Sequence, residues 1–375
     1  MARLVFCYGK GEETLTIEKL IEKGLLLNSI VINKFISTNQ ISVSEAMQKI
    51  DSNAYGILFL TEKNGRLDSC ITDGDIRRFL LKGGELSDLV HMASNKHPKS
   101  ATSEEEAKQL YHRKNYIVIP IVDNKKRIIS LYFGEGDEFK RKKELKIPIV
   151  INAGGKGTRL DPFTKVLPKP LIPIGELPII ELILKEYQSY ACNEFHIIVN
   201  YKKELLKTYF ADDNSNYNIT WYDEDEPLGT GGGLTLLRGE IKETFFFANC
   251  DVLLKADYDK ILQFHREKGN VITMICAYKN LSIPYGVVEI GEDGMIKNMK
   301  EKPTMSFLTN TGMYVVEPEV IDDMSDNIAI GFPDVIEMQR KKGKRVAVYP
   351  VSESDWMDMG QLPELEKMRL KLYGE

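Results

Sequence analysis

The densest concentration of chemically useful residues lies between Asn152 and Pro170, in the run NAGGKGTRLDPFTKVLPKP. Gly154, Gly155 and Gly157 let a backbone bend sharply and bring bare N–H groups against an anion. Lys156 and Arg159 add positive charge, and Lys169 stands between Pro168 and Pro170 on a stiff, extended stretch. A cradle of this kind suits a polyanion as highly charged as a triphosphate. The glycine spacing is wrong for a Rossmann GxGxxG, and no GK[ST] follows for a P-loop. The bland alternative is a Gly/Pro-rich surface loop with incidental charges.

Such a loop needs a rigid element to launch it. From residue 147 the chain alternates strands and helices: strands at 149–152, 195–199, 218–222, 244–248 and 271–277, and helices at about 179–190, 203–210, after Gly231, and 257–268. Repeated βα alternation predicts a parallel α/β sheet with right-handed crossovers, whose ligands sit at the carboxyl ends of the strands. The informative residues are therefore those just after each strand.

The bulk properties fit two compact units. The chain has 375 residues, 43% of them hydrophobic and 28% charged, ordinary values for a soluble globular protein. A net charge of −5 supplies no basic field to attract nucleic acid. Cys7, Cys70, Cys192, Cys250 and Cys276 are scattered without CxxC spacing, which reads as reduced thiols in a cytoplasmic protein. The histidines show no metal-ligand spacing. No apolar run approaches the roughly 20 residues that span a bilayer. The start, MARLVFCYGKGEET, lacks a signal-peptide pattern. Neither a membrane nor a nucleic acid is expected as a partner.

The glycine-rich run resembles the signature GGxGTRLxPxTxxxPKP of the nucleotidyltransferases that make NDP-sugars, and residues 154–170 match it throughout. The resemblance covers 148–375 as one catalytic domain. It implies a Rossmann-like mixed or parallel sheet of the GT-A type, with Ala153, Gly154, Gly155, Lys156, Gly157, Thr158 and Arg159 around the triphosphate of an NTP. Lys169 would contact the reacting phosphate. VNYKKELLKTYF, containing Asn200, follows the second strand, and EPLGTGGGL, with Gly229, Thr230 and Gly231, resembles LGTAGAL, which lies along nucleobase and ribose. FFFANCDVL resembles F-x-N-G-D, with Cys250 replacing the usual glycine and Asp251 in register. PYGVVEI, KEKP and NTGMYV resemble the sugar-phosphate segments and bring in Tyr285, Gly286, Glu301, Lys302, Asn310 and Thr311. WMDMG resembles W-x-D-x-G and supplies Asp358.

Nucleotidyl transfer is an in-line displacement between two anions, so positioning and charge neutralisation carry the catalysis. Mg²⁺ takes few carboxylates and completes its shell with phosphate oxygens and water. The resemblance therefore implies Asp251 and Asp358 as metal ligands, with Arg159, Lys169 and Asp251 as the catalytic set. Each has a bland alternative: Asp251 as a helix or turn cap, Asp358 as N-cap of the helix at 362–373, Glu301 and Lys302 as a surface pair, and Asn310 as a turn residue.

The front of the chain carries an internal repeat. Glu45-Ala46 aligned on Glu106-Ala107 places AMQKIDSNAYGILFL over AKQLYHRKNYIVIPI, an amphipathic helix and a buried strand in each copy. Turns at 62–66 and 123–127 lead to second strands, and two βαββα units burying their sheet faces together would make one domain of 30–139. SCITDGDIRRFL resembles the cystathionine-β-synthase (CBS) domain, in which T-x-x-D holds an adenine nucleotide. Thr72 and Asp75 keep that core, whereas Phe133 and Gly136 stand in the second copy. A single regulatory nucleotide site and a pair used only for dimerising or packing both remain open. Residues 1–29 stay unassigned, with Gly9–Gly11 read as a turn and a helix expected at 16–26. The run KRKKELK opens a linker over 140–147.

The joined architecture is similar to bacterial glucosamine-1-phosphate guanylyltransferases of legionaminic acid synthesis, and a homo-oligomer is expected. VNY…YF and PLGTGG look like the mannose-1-phosphate guanylyltransferase branch, which stands second, ahead of thymidylyl, uridylyl or cytidylyl relatives. A nucleotide-sensing protein with an inactive transferase domain is the reading from a different class.

Overall fold

The structure is a computed structural model. It describes residues 32–53, 55–114, 116, 118–133, 143–211 and 217–374. The expectations for residues 1–29, for part of the linker and for Gly136 lie outside these residues. The chain divides into two compact units, 1–140 and 141–375.

In the first unit β1 (Ile36–Thr38), β2 (Ile57–Thr61) and β3 (Leu67–Thr72) form one small sheet, with α1 (Val43–Asn53) before β2 and α2 (Asp73–Leu80) after β3. The second copy supplies α3 (Glu104–Lys114) and the hairpin β4 (Val118–Val122) and β5 (Ile128–Phe133). The repeat is physical as well as textual. Ser42 and Glu45 cap α1 reciprocally: the Ser42 N–H donates to Glu45 Oε2 at 2.7 Å and the Glu45 N–H donates to Ser42 Oγ at 3.1 Å. In the second copy Glu106 donates its N–H to Ser103 Oγ at 3.2 Å and accepts from the Thr102 N–H at 2.7 Å. Both hairpins shift register at the same place, Leu60/Thr61 and Ile121/Val122. One apolar cluster joins the copies, packing Phe59, Leu67 and Cys70 with Val118 and Val122.

The second unit is built on a seven-stranded sheet. Its strands, in chain order, are β6 (Ile149–Asn152), β7 (Glu194–Val199), β8 (Asn218–Asp223), β9 (Phe245–Asn249), β11 (Ile272–Ser282), β14 (Thr304–Val316) and β15 (Val346–Val351), laid out as β8-β7-β6-β9-β14-β11-β15. Shorter strands lie outside it, among them β10 (Val252–Leu254), β12 (Val287–Ile290) and β13 (Ile296–Lys300). The sheet is mixed, one of the two forms the family resemblance implies and not the all-parallel one that alternation alone suggests, because β14 runs antiparallel to both β9 and β11.

Strand alternation sends Ile149, Ile151, Phe246 and Ala248 to one face, against α4 (Ile179–Gln188) and α6 (Tyr258–Lys268). Val150, Ile198, Phe245 and Phe247 go to the other face, toward Phe332 and Val335 of α7 (Phe332–Lys341). Between these helices in the chain, α5 (Lys203–Phe210) links β7 to β8. Burial on both faces explains why β6 and β9 read as unbroken apolar runs. Each fully buried Phe contributes about 1.5–3 kcal/mol. The helix expected after Gly231 is a short turn, Gly229–Gly232, running into a 3₁₀ segment, Gly233–Leu237. No helix of the described residues is long and apolar enough to cross a membrane.

Candidate active site

Two sheet neighbours set the site. β6 and β9 pair in parallel with Asn152 opposite Asn249, so the segments that follow them leave the same edge together. The Cys250 N–H donates to the Asn152 carbonyl at 3.2 Å, which fixes the start of one segment against the other. The glycine-rich loop is also tied to β7, with the Ala153 N–H on the Ile198 carbonyl at 2.8 Å and the Tyr201 N–H on the Gly154 carbonyl at 3.4 Å. Asn152 Nδ2 reaches the Gly229 carbonyl at 3.2 Å, so the two glycine-rich segments share an anchor.

Gly157 carries φ +65° and lies so close to Lys169 that an added Cβ would stand 3.1 Å from the lysine Cβ. Thr164 holds the bend by donating its hydroxyl to the Gly157 carbonyl, 3.1 Å away. Lys169 is buried, 8% exposed, and its ammonium is ion-paired with Asp251.

Asp251 and Asp358 are brought together by a second pairing. β10 runs antiparallel to β16 (Trp356–Asp358), Val252 faces Asp358, and the Met359 N–H donates to the Asp251 carbonyl at 2.9 Å. Burial and then the negative charge of Asp251 push the Asp358 carboxyl up, while the charges of Lys169 and Arg159 pull against them. Arg159, Lys169, Asp251 and Asp358 therefore share one electrostatic neighbourhood. The N-cap alternative for Asp358 fails. The helix α8 (Leu362–Tyr373) is entered from Gln361, without a side-chain cap.

The donor set fits a divalent cation. Asp358 Oδ1 is buried with no hydrogen-bond partner, it feels the negative charge of Asp251, and the Lys169 ammonium paired with Asp251 acts as counter-charge to both. A hard cation taking one or two carboxylates and leaving its other positions to phosphate and water suits such a pair. No cluster of three or more metal-ligating side chains occurs among the described residues.

The other residues singled out by sequence fall into two groups. Gly229, Thr230 and Gly231 flank the loop, but the Thr230 hydroxyl already accepts the Phe332 N–H at 2.9 Å at the start of α7. The Gly231 N–H is held by the Ile330 carbonyl at 2.9 Å. Asn200 donates through Nδ2 to the Glu224 carbonyl at 3.0 Å. Gly232 is confined by its surroundings: a Cβ there would stand 2.4 Å from the Ile328 carbonyl oxygen.

Asn310, Thr311 and Gly312 form a bulge in β14, where the register jumps from Met313 opposite Ile275 to Asn310 opposite Cys276. Thr311 is 2% exposed and donates its hydroxyl to the Ile275 carbonyl at 2.8 Å, so its side chain holds the bulge. Asn310 is exposed and donates to the Tyr314 hydroxyl at 2.8 Å. Tyr285, Gly286, Glu301 and Lys302 are exposed residues flanking the antiparallel ribbon of β12 and β13. A Cβ on Gly286 would lie 3.0 Å from Glu301 Oε2, so this end of the ribbon is closed by their contact.

In the first unit Thr72 and Asp75 form a capping box at the start of α2. The Thr72 hydroxyl donates to Asp75 Oδ2 at 2.7 Å and accepts from the Asp75 N–H at 3.3 Å, and Arg78 pairs with the same carboxylate. The T-x-x-D pattern has a complete structural use here.

A family model for nucleotidyl transferase matches residues 148–373. The chain belongs to the nucleotidyl transferase family. Its relatives include the UTP–glucose-1-phosphate uridylyltransferase of Synechocystis sp., 30% identical over 57% of this chain and 60% of its own length. The mannose-1-phosphate guanylyltransferase catalytic subunit beta of Drosophila pseudoobscura pseudoobscura is 31% identical over 56% and 58%. The bifunctional protein GlmU of Methanococcus maripaludis is 32% identical over 56% and 51%. The chain thus spans about three fifths or less of these relatives' lengths. A crystal structure of HddC from Yersinia pseudotuberculosis matches 60% of the chain and 99% of its own, with TM-score 0.49 and 22% identity.

Within this family region one buried acid escaped the sequence reading. Glu224, directly after β8, is 4% exposed and lies against both glycine-rich segments. In the sequence it sits in the acidic run DEDE, where nothing distinguishes it from a solvated charge.

Proposed function

We propose that the second unit is a sugar-1-phosphate nucleotidyltransferase, converting an NTP and a sugar 1-phosphate into an NDP-sugar and pyrophosphate. The observation that carries the reading is the convergence of Arg159, Lys169, Asp251 and Asp358 at the end of β6 and β9, beside a loop built to face an anion. A phosphate oxygen of the sugar phosphate attacks the α-phosphorus, and the bond to the β-phosphate oxygen breaks. Lys169 offsets charge at the α-phosphate, while Lys156 and Arg159 offset charge on the departing pyrophosphate. The loop backbone of Ala153–Arg159 and the Gly229–Gly231 segment hold the nucleotide. No protein base is needed, because the sugar phosphate is already ionised. Asp251 and Asp358 would hold Mg²⁺, which when bound supplies charge screening to the phosphates.

GTP and glucosamine 1-phosphate are the preferred pair, giving GDP-glucosamine for nonulosonate (legionaminic acid) synthesis. Support comes from the guanylyltransferase-like PLGTGG segment and from the repeat-plus-transferase architecture. Mannose 1-phosphate is the second reading, favoured by relatives named for that activity. Tyr285, Gly286, Glu301, Lys302 and Asn310 are the proposed sugar-phosphate contacts. For Thr311, whose hydroxyl is spent on the bulge, the proposed contribution is through the backbone. The first unit is proposed as a regulatory or dimerising CBS pair, with Thr72 and Asp75 as its adenine-nucleotide contacts.

A screen of GTP, UTP, dTTP, CTP and ATP against glucosamine, mannose and glucose 1-phosphates, read by pyrophosphate release, tests the proposal. Silence with every pair removes the enzyme reading and leaves the nucleotide-sensing one.

A further inference from the structure

β11 and β14 continue beyond the central sheet as a narrower ribbon. The Ile283 N–H donates to the Pro303 carbonyl at 3.0 Å, β12 and β13 pair antiparallel, and the Gly291 N–H closes the tip on the Met295 carbonyl at 2.8 Å. The ribbon is fully hydrogen-bonded along its length, yet it has only two strands. Such a pair is marginal in water unless something covers its apolar side.

Its two faces differ in composition. Val288 stands opposite Met299, and Ile290 opposite Ile296. Directly paired residues share a face, and so do every second residues of a strand, which puts these four side chains together. They are 47%, 60%, 75% and 67% exposed, in that order. The reverse face pairs Val287 with Lys300 and Glu289 with Asn298. Alternation of this kind marks a strand whose apolar side is covered and whose polar side meets water. Here the apolar side is the open one.

The size of that face says what kind of partner suits it. The four side chains expose roughly 500 Å² between them, near the upper end of the largest apolar patch on a typical monomer. Two such faces with their rims would bury about 1,000 Å², the area at which a protein–protein contact becomes specific. The charges narrow the choice further. No charged residue belongs to the four, so the partner must be apolar as well, and a second copy of the same face meets that need. β12 and the turn after it carry Glu289, Glu292 and Asp293, whereas β13 carries Lys297 and Lys300. A two-fold axis along the ribbon lays the acidic strand of each copy over the basic strand of the other. A two-fold across the ribbon would stack acidic strand on acidic strand. Three acids against two bases also argue against an anionic lipid surface, which attracts elements rich in Lys and Arg.

We propose that the Val288–Ile290–Ile296–Met299 face is an interface between two copies of this chain, packed face to face about a two-fold axis that runs along the ribbon. The contact is isologous, each copy giving and receiving the same patch.

Sedimentation equilibrium of the full chain at micromolar concentration tests this, with Ile290→Lys and Met299→Lys beside the unmodified protein. The unmodified chain should sediment as a dimer or a higher even assembly, and each variant should halve that mass. Ile290 is three-quarters exposed, so its replacement leaves the fold of one copy intact, and the circular dichroism spectrum should be unchanged. Asn298→Lys adds the same charge on the reverse face and should leave the mass as it was. An unmodified chain that is monomeric throughout overturns the proposal and needs no variant to fold. A mass unchanged by Ile290→Lys and Met299→Lys overturns it by placing any contact elsewhere, for example in the first unit. Halving by Asn298→Lys as well would trace the effect to collapse of the ribbon and overturn it too. Co-sedimentation of the unmodified chain with phosphatidylcholine–phosphatidylglycerol vesicles, lost in Ile290→Lys, would assign the face to a membrane instead.

Discussion

The Lys169 ammonium and the Asp251 carboxylate are paired across 82 positions of chain, at the sheet edge where β6 and β9 run side by side. Both side chains are largely covered, 10% and 16% exposed. Removing one partner of such a pair strands the other charge, and here a second carboxylate, Asp358, adds to the imbalance. Lys169→Met should therefore lose about 3 kcal/mol in urea unfolding. Mg²⁺ should return part of that loss, because a ligand binding only the folded state stabilises it. A midpoint unchanged by the substitution and by Mg²⁺ would refute both the pairing and the metal face.

Asp251→Asn keeps the size of the side chain and removes its charge. Turnover should fall by a factor on the order of 10² to 10³ or more, the scale of losing one transition-state charge contact. The circular dichroism spectrum should be unchanged. Near-normal rates at saturating Mg²⁺ would refute the assignment.

Gly232→Ala should harm this chain. The new methyl meets the Ile328 carbonyl at 2.4 Å, so backbone must shift. The expected cost is about 1–3 kcal/mol, read by thermal unfolding. A neutral or stabilising result would show that the 328–331 segment yields freely.

Asp323 is held by Lys344 at 2.8 Å and Lys342 at 3.1 Å. The Lys344 hydrogen bond is the leading cause that lowers its carboxyl to about 2, against a smaller opposing effect of burial. A carboxyl depressed in the folded state stabilises that state above its unfolded value near 4, and the contribution drains away as pH falls toward 2. After allowing for solvent screening, Asp323→Asn should cost about 1 kcal/mol at pH 7 and less at pH 3. Equal losses at the two pH values would contradict the ion pairing.

Thr72→Ala opens the capping box of α2. It should destabilise the first unit by about 1 kcal/mol, measurable by unfolding with no nucleotide present. No loss would free Thr72 and Asp75 from their structural duty and strengthen a purely ligand-binding role for them.

Much of this was readable from sequence because its signals were local and continuous. The run 154–170 is one uninterrupted match, and the unbroken apolar runs of β6 and β9 announce a doubly covered sheet. The repeat alignment carried over to its helix caps and its bulges. What escaped depends on partners far away in the chain. The Thr311 hydroxyl is spent on the Ile275 carbonyl, 36 residues distant, and that of Thr230 on the Phe332 N–H, 102 residues distant. No spacing rule reports such pairings. The βα alternation did not give the direction of β14, because strand direction is set by the connection, not by the strand's own pattern. Glu224 was hidden because burial turns a commonplace acid into a special one, and the covering comes from Gly154 and Gly233.

The ladder that sets Asn152 opposite Asn249 gives the two halves of the reaction different mechanical footing. The anion loop and Asp251 hang from paired central strands, where a shift of one residue would turn buried side chains out to solvent. Tyr285, Gly286, Glu301 and Lys302, proposed to meet the sugar, flank an exposed two-stranded ribbon outside that ladder. Changes there leave the sheet's hydrogen bonds intact. The protein can therefore trade one acceptor for another without recutting the part that moves the nucleotide.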